Sequence, residues 1–504
     1  MITVHNSVPN PVVEEAVLFP FDTYSCPFSA GLRLQLIPGK IPGRGNPIVV
    51  AAGEPGSPDD YSTRFYGTVI PIDGELRMWY LARSTLDADG SNGGQLRCCY
   101  ATSTDGVNWD KPDLGLIEFN GSKHNNIVNL RAGRCDFAAL PVMYEPDDPE
   151  PARRFKVVFE SEAYGNQFAV AYSADGLNWT ESPNNPVGPG LEQTGLLRHN
   201  GCYYVNGQGG THYTTGRVLA TFASYDFETW TQASCVGYRR DMVPPEPLLY
   251  DPLSSAPKAK WNQSEEVHLG AGLWDRGNVI LGIYDIWHGT PTSDRQLISM
   301  DLGLLVSHDA LHFYEPIKDF PILPAYEEAG AVVGKPPTVS HGQGMVNWGD
   351  KTLLWYEAWG NLPVEVRLAS WERDRIGYFE AMRGEGGHLV TCPLAGATEF
   401  SANVGGLGPY TELRFELLDE GFHPLPGFSG DDAAVLTALE GAGEGEEDLV
   451  PGQQSQRESV PAAGLREPIR WQRPVPADTG ALRLQVTFAG IRPEDGQLYA
   501  IYAR

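Results

Sequence analysis

The chain has 504 residues, 41% of them hydrophobic and 20% charged, which is typical of a folded globular protein with room for two or three domains. Its net charge is −27, from 37 Lys and Arg against 64 Asp and Glu, so it would repel nucleic acid and we expect no such partner. No apolar run reaches the roughly 18 residues of a membrane-spanning helix, so we expect no membrane partner either.

Seven cysteines, an odd number, stand at positions 26, 98, 99, 135, 202, 235 and 392. None is in CxxC spacing, so the sequence predicts neither a disulfide framework nor a zinc site, and we expect no metal and no cofactor. The N-terminal sequence lacks the basic and apolar regions of a signal peptide. This favours a cytoplasmic location, unless the signal of a secreted protein has been removed.

Residues 1–55 form an N-terminal segment of short apolar runs broken by Pro and Gly, which we expect to pack on the domain that follows. In residues 56–380 one motif recurs: an apolar strand, Ser, a variable residue, Asp, a turn and usually an aromatic residue. The aspartates of four copies are Asp105, Asp175, Asp226 and Asp309, and a fifth, degraded copy contains Asp374, so the steps are 70, 51, 83 and 65 residues. Five such units predict a β-propeller with five blades, each a four-stranded meander.

The first unit shows how a blade is read from the sequence. The runs RFYGTVIPI and ELRMWYLAR flank Asp73-Gly74, and QLRCCYATS follows. An Asp-Gly pair accepts the positive φ angles of a type I′ turn, so we expect a β-hairpin here. Closing five units into a ring leaves no long exposed sheet edge.

The repeat stops near Ala381, and residues 381–504 carry six or more strand-like runs at short spacing. This pattern predicts a β-sandwich, with residues 439–467, polar and Gly-rich, as a mobile loop within it. The predicted fold class is therefore all-β, a five-bladed β-propeller followed by a C-terminal β-sandwich. The sandwich could pack on the propeller or mediate self-association, so a homo-oligomer stays open.

The inner strands of a propeller begin at one end of the central channel, where their side chains converge. Aligning the five inner strands on their turns places polar residues before each apolar run: Arg64, Asp136, Glu192, Glu266 or His268, and His341. Ordinary core strands would carry aliphatic residues at several of these positions. The ring therefore predicts a functional pocket on the axis.

Carboxylates flanked by Arg and His suit the hydrolysis of glycosides. One carboxylic acid protonates the leaving oxygen, and a second carboxylate attacks or activates water. Arg64, His268 and His341 are candidates to bind substrate hydroxyls or a substrate carboxylate.

Aromatic residues near the fourth inner strand are candidates for a wall on which a sugar ring stacks. They are Trp274, Tyr284, Trp287 and His288, and packing in the blade core is the other explanation for them. The sequence contains no nucleophile elbow, phosphate-binding loop, dinucleotide fingerprint or HExxH motif.

The Ser-x-Asp-Gly-x-x-Trp blade ends and the sandwich after the propeller resemble five-bladed glycoside hydrolases, namely families 32 and 68 (invertase and levanase type) and family 43 (arabinanase and xylosidase type). The resemblance implies one carboxylate on each of the first three inner strands. Asp136 resembles the second-blade stabiliser of the transition state, and Glu192 the third-blade general acid. The first-blade position falls near Arg64, so the nucleophile or base is Asp60 (or its neighbour Asp59), Glu266, or missing.

The sequence thus predicts a metal-independent glycoside hydrolase with a carbohydrate substrate, and the resemblance points to a furanoside such as a fructosyl or arabinosyl unit. Two alternatives stay open. One is a non-catalytic carbohydrate-binding propeller, which the missing first-blade carboxylate favours. The other is a glycoside phosphorylase or lyase on the same fold, and phosphorolysis would need several Arg, Lys or His side chains beside the acid.

Overall fold

The structure is a computed structural model and describes residues 1–41, 47–87, 96–131, 139–209, 216–240, 266–289, 298–325, 338–358, 363–382, 386–437, 464–477 and 479–504. These residues form β-strands joined by turns, with short 3₁₀ helices at Thr85–Asp87, Pro151–Arg153, Glu162–Tyr164, Gly430–Asp432 and Pro493–Asp495. Within these ranges, no helix is long and apolar enough to cross a membrane. The loop predicted at 439–467 lies outside the described residues as far as residue 463.

Six strands come from the N-terminal segment: β1 (Ile2–Val4), β2 (Val12–Val13), β3 (Ala16–Leu18), β4 (Phe28–Ala30), β5 (Leu32–Leu36) and β6 (Ile48–Val50). Strands β1, β2 and β4 join one sheet of the C-terminal sandwich, and β3 and β5 join the other. Strand β6 is instead the outer strand of the last propeller blade. The segment therefore completes the sandwich and also closes the propeller ring, because β6 precedes the first blade in sequence.

The propeller consists of nineteen further strands: β7 (Ser62–Ile72), β8 (Glu75–Arg83), β9 (Arg97–Ser103), β10 (Val142–Tyr144), β11 (Phe155–Ser161), β12 (Gln167–Ser173), β13 (Trp179–Glu181), β14 (Glu192–His199), β15 (Cys202–Gly209), β16 (Val218–Ser224), β17 (Cys235–Tyr238), β18 (Glu266–Asp275), β19 (Ile280–Gly289), β20 (Ile298–Ser307), β21 (Phe313–Tyr314), β22 (Pro321–Leu323), β23 (Val339–Trp348), β24 (Lys351–Ala358) and β25 (Val366–Glu372). Five antiparallel blades run β7-β8-β9, β10 to β13, β14 to β17, β18 to β21, and β23-β24-β25-β6. The inner strands β23 and β7 pair in parallel, so the strands that line the axis begin at the same end of the channel. This is the predicted five-bladed arrangement.

The first hairpin has the predicted turn. Asp73 and Gly74 have φ angles of 52° and 79°, both positive as a type I′ turn requires, and Ile72 pairs with Glu75 across it. The prediction from the Asp-Gly pair is confirmed.

The recurring Ser-x-Asp motif is a turn-forming device. In the first blade Asp105 Oδ1 accepts hydrogen bonds from the backbone N–H groups of Val107 (2.8 Å) and Asn108 (2.7 Å). Ser103 Oγ accepts another from Gly106 N at 2.8 Å. Equivalent bonds are made by the motif residues Asp175, Asp226 and Asp309. The motif is therefore explained by the hydrogen bonds that its Ser and Asp side chains accept from backbone N–H groups in the turns. It does not by itself indicate a catalytic site.

In the fifth copy of the motif, Asp374 links the propeller to the sandwich. The buried Asp374 carboxylate accepts hydrogen bonds from Asn347 Nδ2 (2.8 Å) and Tyr502 Oη (2.8 Å) and pairs with the Arg276 guanidinium (2.5 Å). Burial acts to raise the pKa of Asp374, but Arg276 and these hydrogen bonds outweigh it and lower the pKa. Blades four and five and the last strand of the chain thus meet at one carboxylate.

Nine strands complete the chain: β26 (Gly377–Ala381), β27 (Gly387–Val390), β28 (Leu394–Ala395), β29 (Phe400–Gly405), β30 (Thr411–Asp419), β31 (Ala434–Leu436), β32 (Glu467–Ile469), β33 (Ala481–Gly490) and β34 (Gln497–Ala503). They form two sheets, one around β33 and one around β34. Buried and partly buried residues alternate along β30 and β33, as expected for strands with one face on a core. The two sheets pack together as the predicted β-sandwich.

Irregular pairing separates the start of each of four inner strands from its apolar continuation. The register shifts lie between Arg64 and Thr68 on β7, Gln193 and Gly195 on β14, His268 and Ala271 on β18, and His341 and Met345 on β23. Bulges bend a strand and re-aim its side chains, and they are frequent beside active sites. Arg64, Glu192, His268 and His341 therefore stand at or just before these bulges.

Beyond the bulges the inner strands approach each other closely. A Cβ on Gly272 would lie 2.2 Å from the carbonyl oxygen of Gly342, and one on Gly195 would lie 2.1 Å from that of Ala271. Only glycine permits such backbone contact between neighbouring blades. The channel is therefore tight below its polar mouth.

Candidate active site

Four inner strands bring their predicted residues to the same mouth of the channel. Glu192 and Glu266 are the first residues of β14 and β18, and His268 follows two residues later. Arg64 and His341 are each the third residue of their strands β7 and β23. Asp136, the candidate from the second blade, lies outside the described residues.

One buried carboxylate holds both predicted histidines. Asp285 Oδ2 lies 2.7 Å from His268 Nδ1, and Asp285 Oδ1 lies 2.5 Å from His341 Nδ1. Ser340 Oγ and the backbone N–H of His341 also donate to this carboxylate. Burial acts to raise the pKa of Asp285, but His341 and then His268 outweigh it and lower the pKa. Asp285 is therefore an anion that fixes two imidazole rings, one from its own blade four and one from the neighbouring blade five.

Asp285 is not among the residues predicted from the inner strands. It stands on the second strand of blade four, directly across from His268 in the strand register. A lone carboxylate in the apolar run ILGIYDIW was the available signal. Such a residue is rarely buried without a partner, so its position opposite a candidate histidine could have revealed it.

Arg64 is held by a second carboxylate that the sequence analysis missed. Its Nη2 and Nε lie 2.8 Å and 3.2 Å from Oε1 of Glu357, which is fully buried on β24. The guanidinium also lies over the ring of Tyr66, 4.6 Å from its centroid. Burial acts to lower the pKa of Arg64, but the charge of Glu357 outweighs it and raises the pKa. The first-blade position thus carries a paired cation.

Glu266 is also paired with a cation. Its Oε1 accepts a hydrogen bond from the backbone N–H of Arg217 at 3.0 Å, and Arg217 Nε lies 3.8 Å from Oε2. The Arg217 guanidinium covers the ring of Trp287 at 4.9 Å from its centroid. Glu266 is only 2% exposed. It is therefore a buried counter-ion in this structure, and its role as a base stays a prediction.

Glu192 differs from these carboxylates. Its Oε2 accepts a hydrogen bond of 2.7 Å from Gln208 Nε2, and the residue is partly exposed. Its Oε1 has no hydrogen bond or ion pair with any residue that the structure describes. Of the carboxylates described at this mouth, Glu192 is the one without a cationic partner. It is therefore the one free to exchange a proton with a ligand.

Two of the candidate stacking residues do not face the polar mouth in this structure. Trp287 is fully buried, between Arg217 and the ring of His268, and has no face open to a sugar. Trp274 lies roughly 25 Å along β18 from Glu266, at about 3.3 Å of rise per residue. There it packs against Arg276 and lines a cavity at the opposite mouth. Trp287 is therefore part of the packed core, and Trp274 lies at the far end of its strand from the polar mouth.

His288 and Asp60 have partners of their own. His288 Nε2 lies 3.1 Å from Asp301 Oδ2, on the neighbouring strand β20. Asp60 accepts hydrogen bonds from Gly56 N (2.7 Å) and from the backbone N–H (2.6 Å) and hydroxyl (2.7 Å) of Thr85. These bonds outweigh its partial burial and lower the pKa of Asp60. Asp60 thus fixes the turn before β7, and its role as a base stays a prediction.

The neighbouring Asp59 is likewise engaged: Lys111 Nζ (2.5 Å) and Tyr80 Oη (2.8 Å) donate to its Oδ2. Among the residues described, no group of three or more His, Cys, Asp or Glu is arranged to hold a metal ion.

Comparison with known proteins gives likeness in structure only. No family model and no curated protein matches the sequence. A glycosyl hydrolase from Bacteroides ovatus is similar over 68% of this chain and 95% of that one, with 17% identity and a TM-score of 0.44. A structure from the GH130 family of mannoside phosphorylases, described as containing hydrolases of β-1,2-mannosidic linkages in Candida mannan, covers 67% and 95%, with 16% identity and a TM-score of 0.44.

A β-1,2-mannobiose phosphorylase from Listeria innocua is also similar, at 16% identity over 63% of this chain and 91% of that one, with a TM-score of 0.39. These three proteins are thus named as glycoside hydrolases or glycoside phosphorylases. At these identities and TM-scores the likeness assigns neither a reaction nor a substrate to this chain. The resemblance to families 32, 68 and 43 stays a prediction.

Proposed function

We propose that this protein is an enzyme that cleaves glycosidic bonds in the axial pocket of its propeller, with Glu192 as general acid. The observation that carries the proposal is the state of Glu192 itself. It stands at the polar mouth, is partly exposed, and keeps one carboxyl oxygen without a partner among the described residues. The neighbouring carboxylates are occupied by cations and hydrogen bonds, so they are less able to transfer a proton.

In this mechanism the proton on Glu192 moves to the glycosidic oxygen as the bond between that oxygen and the anomeric carbon breaks. The oxygen of a water molecule bonds to the anomeric carbon, and a proton of that water passes to a carboxylate base. Asp136 is the candidate to stabilise the positive charge that develops on the sugar. Glu266, on the blade next to that of Glu192, is the candidate for the base, once a substrate displaces Arg217 from it.

Hydrolysis is favoured over phosphorolysis by the charge balance at the mouth. Arg64 faces Glu357, Arg217 faces Glu266, and the two histidines share Asp285. A phosphate dianion binds well where several cationic groups are left uncompensated. These cations already have carboxylate partners, which supports water as the acceptor.

The test is a screen of oligosaccharides and nitrophenyl glycosides in buffers with and without inorganic phosphate. The panel includes fructosides and arabinosides, because the sequence resemblance points to furanosides. It also includes β-1,2-mannosides, because two of the structurally similar proteins are named for that linkage. We expect release of free sugar without phosphate.

Other outcomes of the screen have distinct meanings. Formation of a sugar phosphate only when phosphate is present would replace hydrolysis by phosphorolysis. Sugar binding, measured by calorimetry, with no cleavage of any substrate would make the protein a carbohydrate-binding propeller and end the enzymatic proposal.

A further inference from the structure

The side chain next to Glu192 suggests how the proposed acid is oriented. Gln208 lies on β15, directly opposite Glu192 in the strand register. Its Nε2 is 2.7 Å from Glu192 Oε2. On its other side, Gln208 Oε1 accepts a hydrogen bond of 3.5 Å from the backbone N–H of Leu269, in the bulge of blade four. One amide therefore bridges blades three and four at the mouth.

The contact with Leu269 fixes which way the amide points. A backbone N–H can only donate, so the atom of Gln208 that faces it must be the oxygen, and the nitrogen must face Glu192. Leu269 has a φ angle of 58° and Gly270 one of 82°, so the bulge holds this N–H in a defined direction. The donor presented to Glu192 is therefore set by the backbone of the neighbouring blade.

A fixed donor makes the two oxygens of Glu192 inequivalent. Oε2 accepts the Gln208 N–H and is poorly placed to carry a proton toward Gln208. The proton of the neutral acid therefore belongs on Oε1, the oxygen that has no partner among the described residues. An acid with its proton on the free oxygen is oriented for transfer into the pocket.

Resting on the proposed function, we infer that Gln208 is the positioning residue for the general acid and that Oε1 of Glu192 delivers the proton. The substrates that depend on Gln208 are then those with a poor leaving group, such as a second sugar. A leaving group as acidic as dinitrophenol departs without a proton and does not need the oriented acid.

The experiment uses the full chain and the sugar identified by the screen. The variant Gln208→Met keeps the length of the side chain and removes its donor. We expect kcat/KM to fall by about 10- to 100-fold on the disaccharide, chiefly through kcat, and to change by less than about threefold on the dinitrophenyl glycoside. The matched control is Gln485→Met, which removes a Gln–Glu hydrogen bond of 2.9 Å in the sandwich.

The outcomes separate the inference from the function on which it rests. Equal losses on both substrates, or no loss on either, would overturn the role of Gln208 while leaving the enzymatic proposal standing. A wild-type protein that cleaves neither substrate would overturn both. If Gln208→Met does not fold, Gln208→Asn, which keeps the amide but shortens its reach, gives the same readout.

Discussion

The side-chain oxygen of Gln343 on β23 accepts a hydrogen bond of 2.6 Å from the backbone N–H of Leu196 on β14. These strands belong to blades five and three, which are not neighbours in the ring, so the bond crosses the channel axis. Both residues also line a cavity of about 860 Å³ at the opposite mouth. The bond therefore lies between the polar mouth and that cavity.

Replacing Gln343 by Leu is expected to lower the free energy of unfolding by about 1–3 kcal/mol, because the buried N–H of Leu196 loses its acceptor. Urea denaturation measures the loss. Gln232→Leu is the control, since that side chain makes only a bond of 3.4 Å to the carbonyl of Trp230. Equal stability of the two variants would show that the cross-axis bond contributes nothing.

The contacts of Asp374 predict that two Tyr→Phe substitutions on β34 lower the free energy of unfolding by different amounts. Tyr502→Phe removes a hydrogen bond to a buried carboxylate, which is worth about 1.5–3 kcal/mol. Tyr499→Phe removes a hydrogen bond of 2.7 Å to the neutral side chain of Gln497, also on β34, and is expected to cost about 0.5–1.5 kcal/mol. Thermal unfolding compares them. A smaller loss for Tyr502→Phe would contradict the role given to Asp374.

The turn aspartates predict a specific dependence of stability on pH. Partial burial acts to raise the pKa of Asp226, but hydrogen bonds from Thr229, Glu228 and Ser224 outweigh it and lower the pKa to about 2. Because the folded pKa lies below the unfolded value of about 3.9, this stabilisation is full above pH 4 and is lost as the pH falls toward 2.

Asp226→Asn should therefore be less stable than the wild type at pH 7, with the difference shrinking between about pH 4 and pH 2. Denaturation at a series of pH values tests this. Asp147→Asn, at an exposed position in a loop of blade two, should show no such trend. A difference that is the same at every pH would mean that the carboxylate charge is irrelevant to the turn.

Asp285 is shared by two histidines. Its substitution is therefore expected to lower the free energy of unfolding more than substitution in a similar Asp–His pair nearer the surface. Asp285→Asn leaves one oxygen for the four donors that converge there, and we expect a loss of about 3 kcal/mol or more. Asp301→Asn is the control, because its carboxylate faces one histidine and one backbone N–H and is partly exposed. Urea denaturation at pH 7 distinguishes them, and equal losses would contradict the network.

The propeller was predictable because its signals are local. The turn at Asp73-Gly74 and the repeated Ser-x-Asp motif follow from φ preferences and from backbone N–H groups that lie within a few residues. The sandwich was predictable from the six or more strand-like runs at short spacing in residues 381–504. The pairing partners of strands β1 to β5 were not predictable, because local sequence patterns do not indicate which distant strand a given strand pairs with.

The site was predictable only as positions on the inner strands. Arg64, His268 and His341 stand where strand alignment placed them, before the bulges. Their partners Asp285 and Glu357 come from second strands. The hairpin register identifies Asp285 as the residue opposite His268, whereas Glu357 reaches Arg64 from the neighbouring blade. The burial of Trp287 follows from its place between blades, which periodicity within one strand does not encode.

Glu192 is the residue on which the proposed cleavage depends most. The direct measurement is the rate of sugar release from the best natural oligosaccharide by wild type and by Glu192→Gln, which keeps the shape of the side chain but cannot transfer a proton. We expect a loss of at least about 10²-fold in kcat, with unfolding behaviour unchanged. A folded Glu192→Gln variant that retains the rate of the wild type would contradict the assignment and place the acid elsewhere.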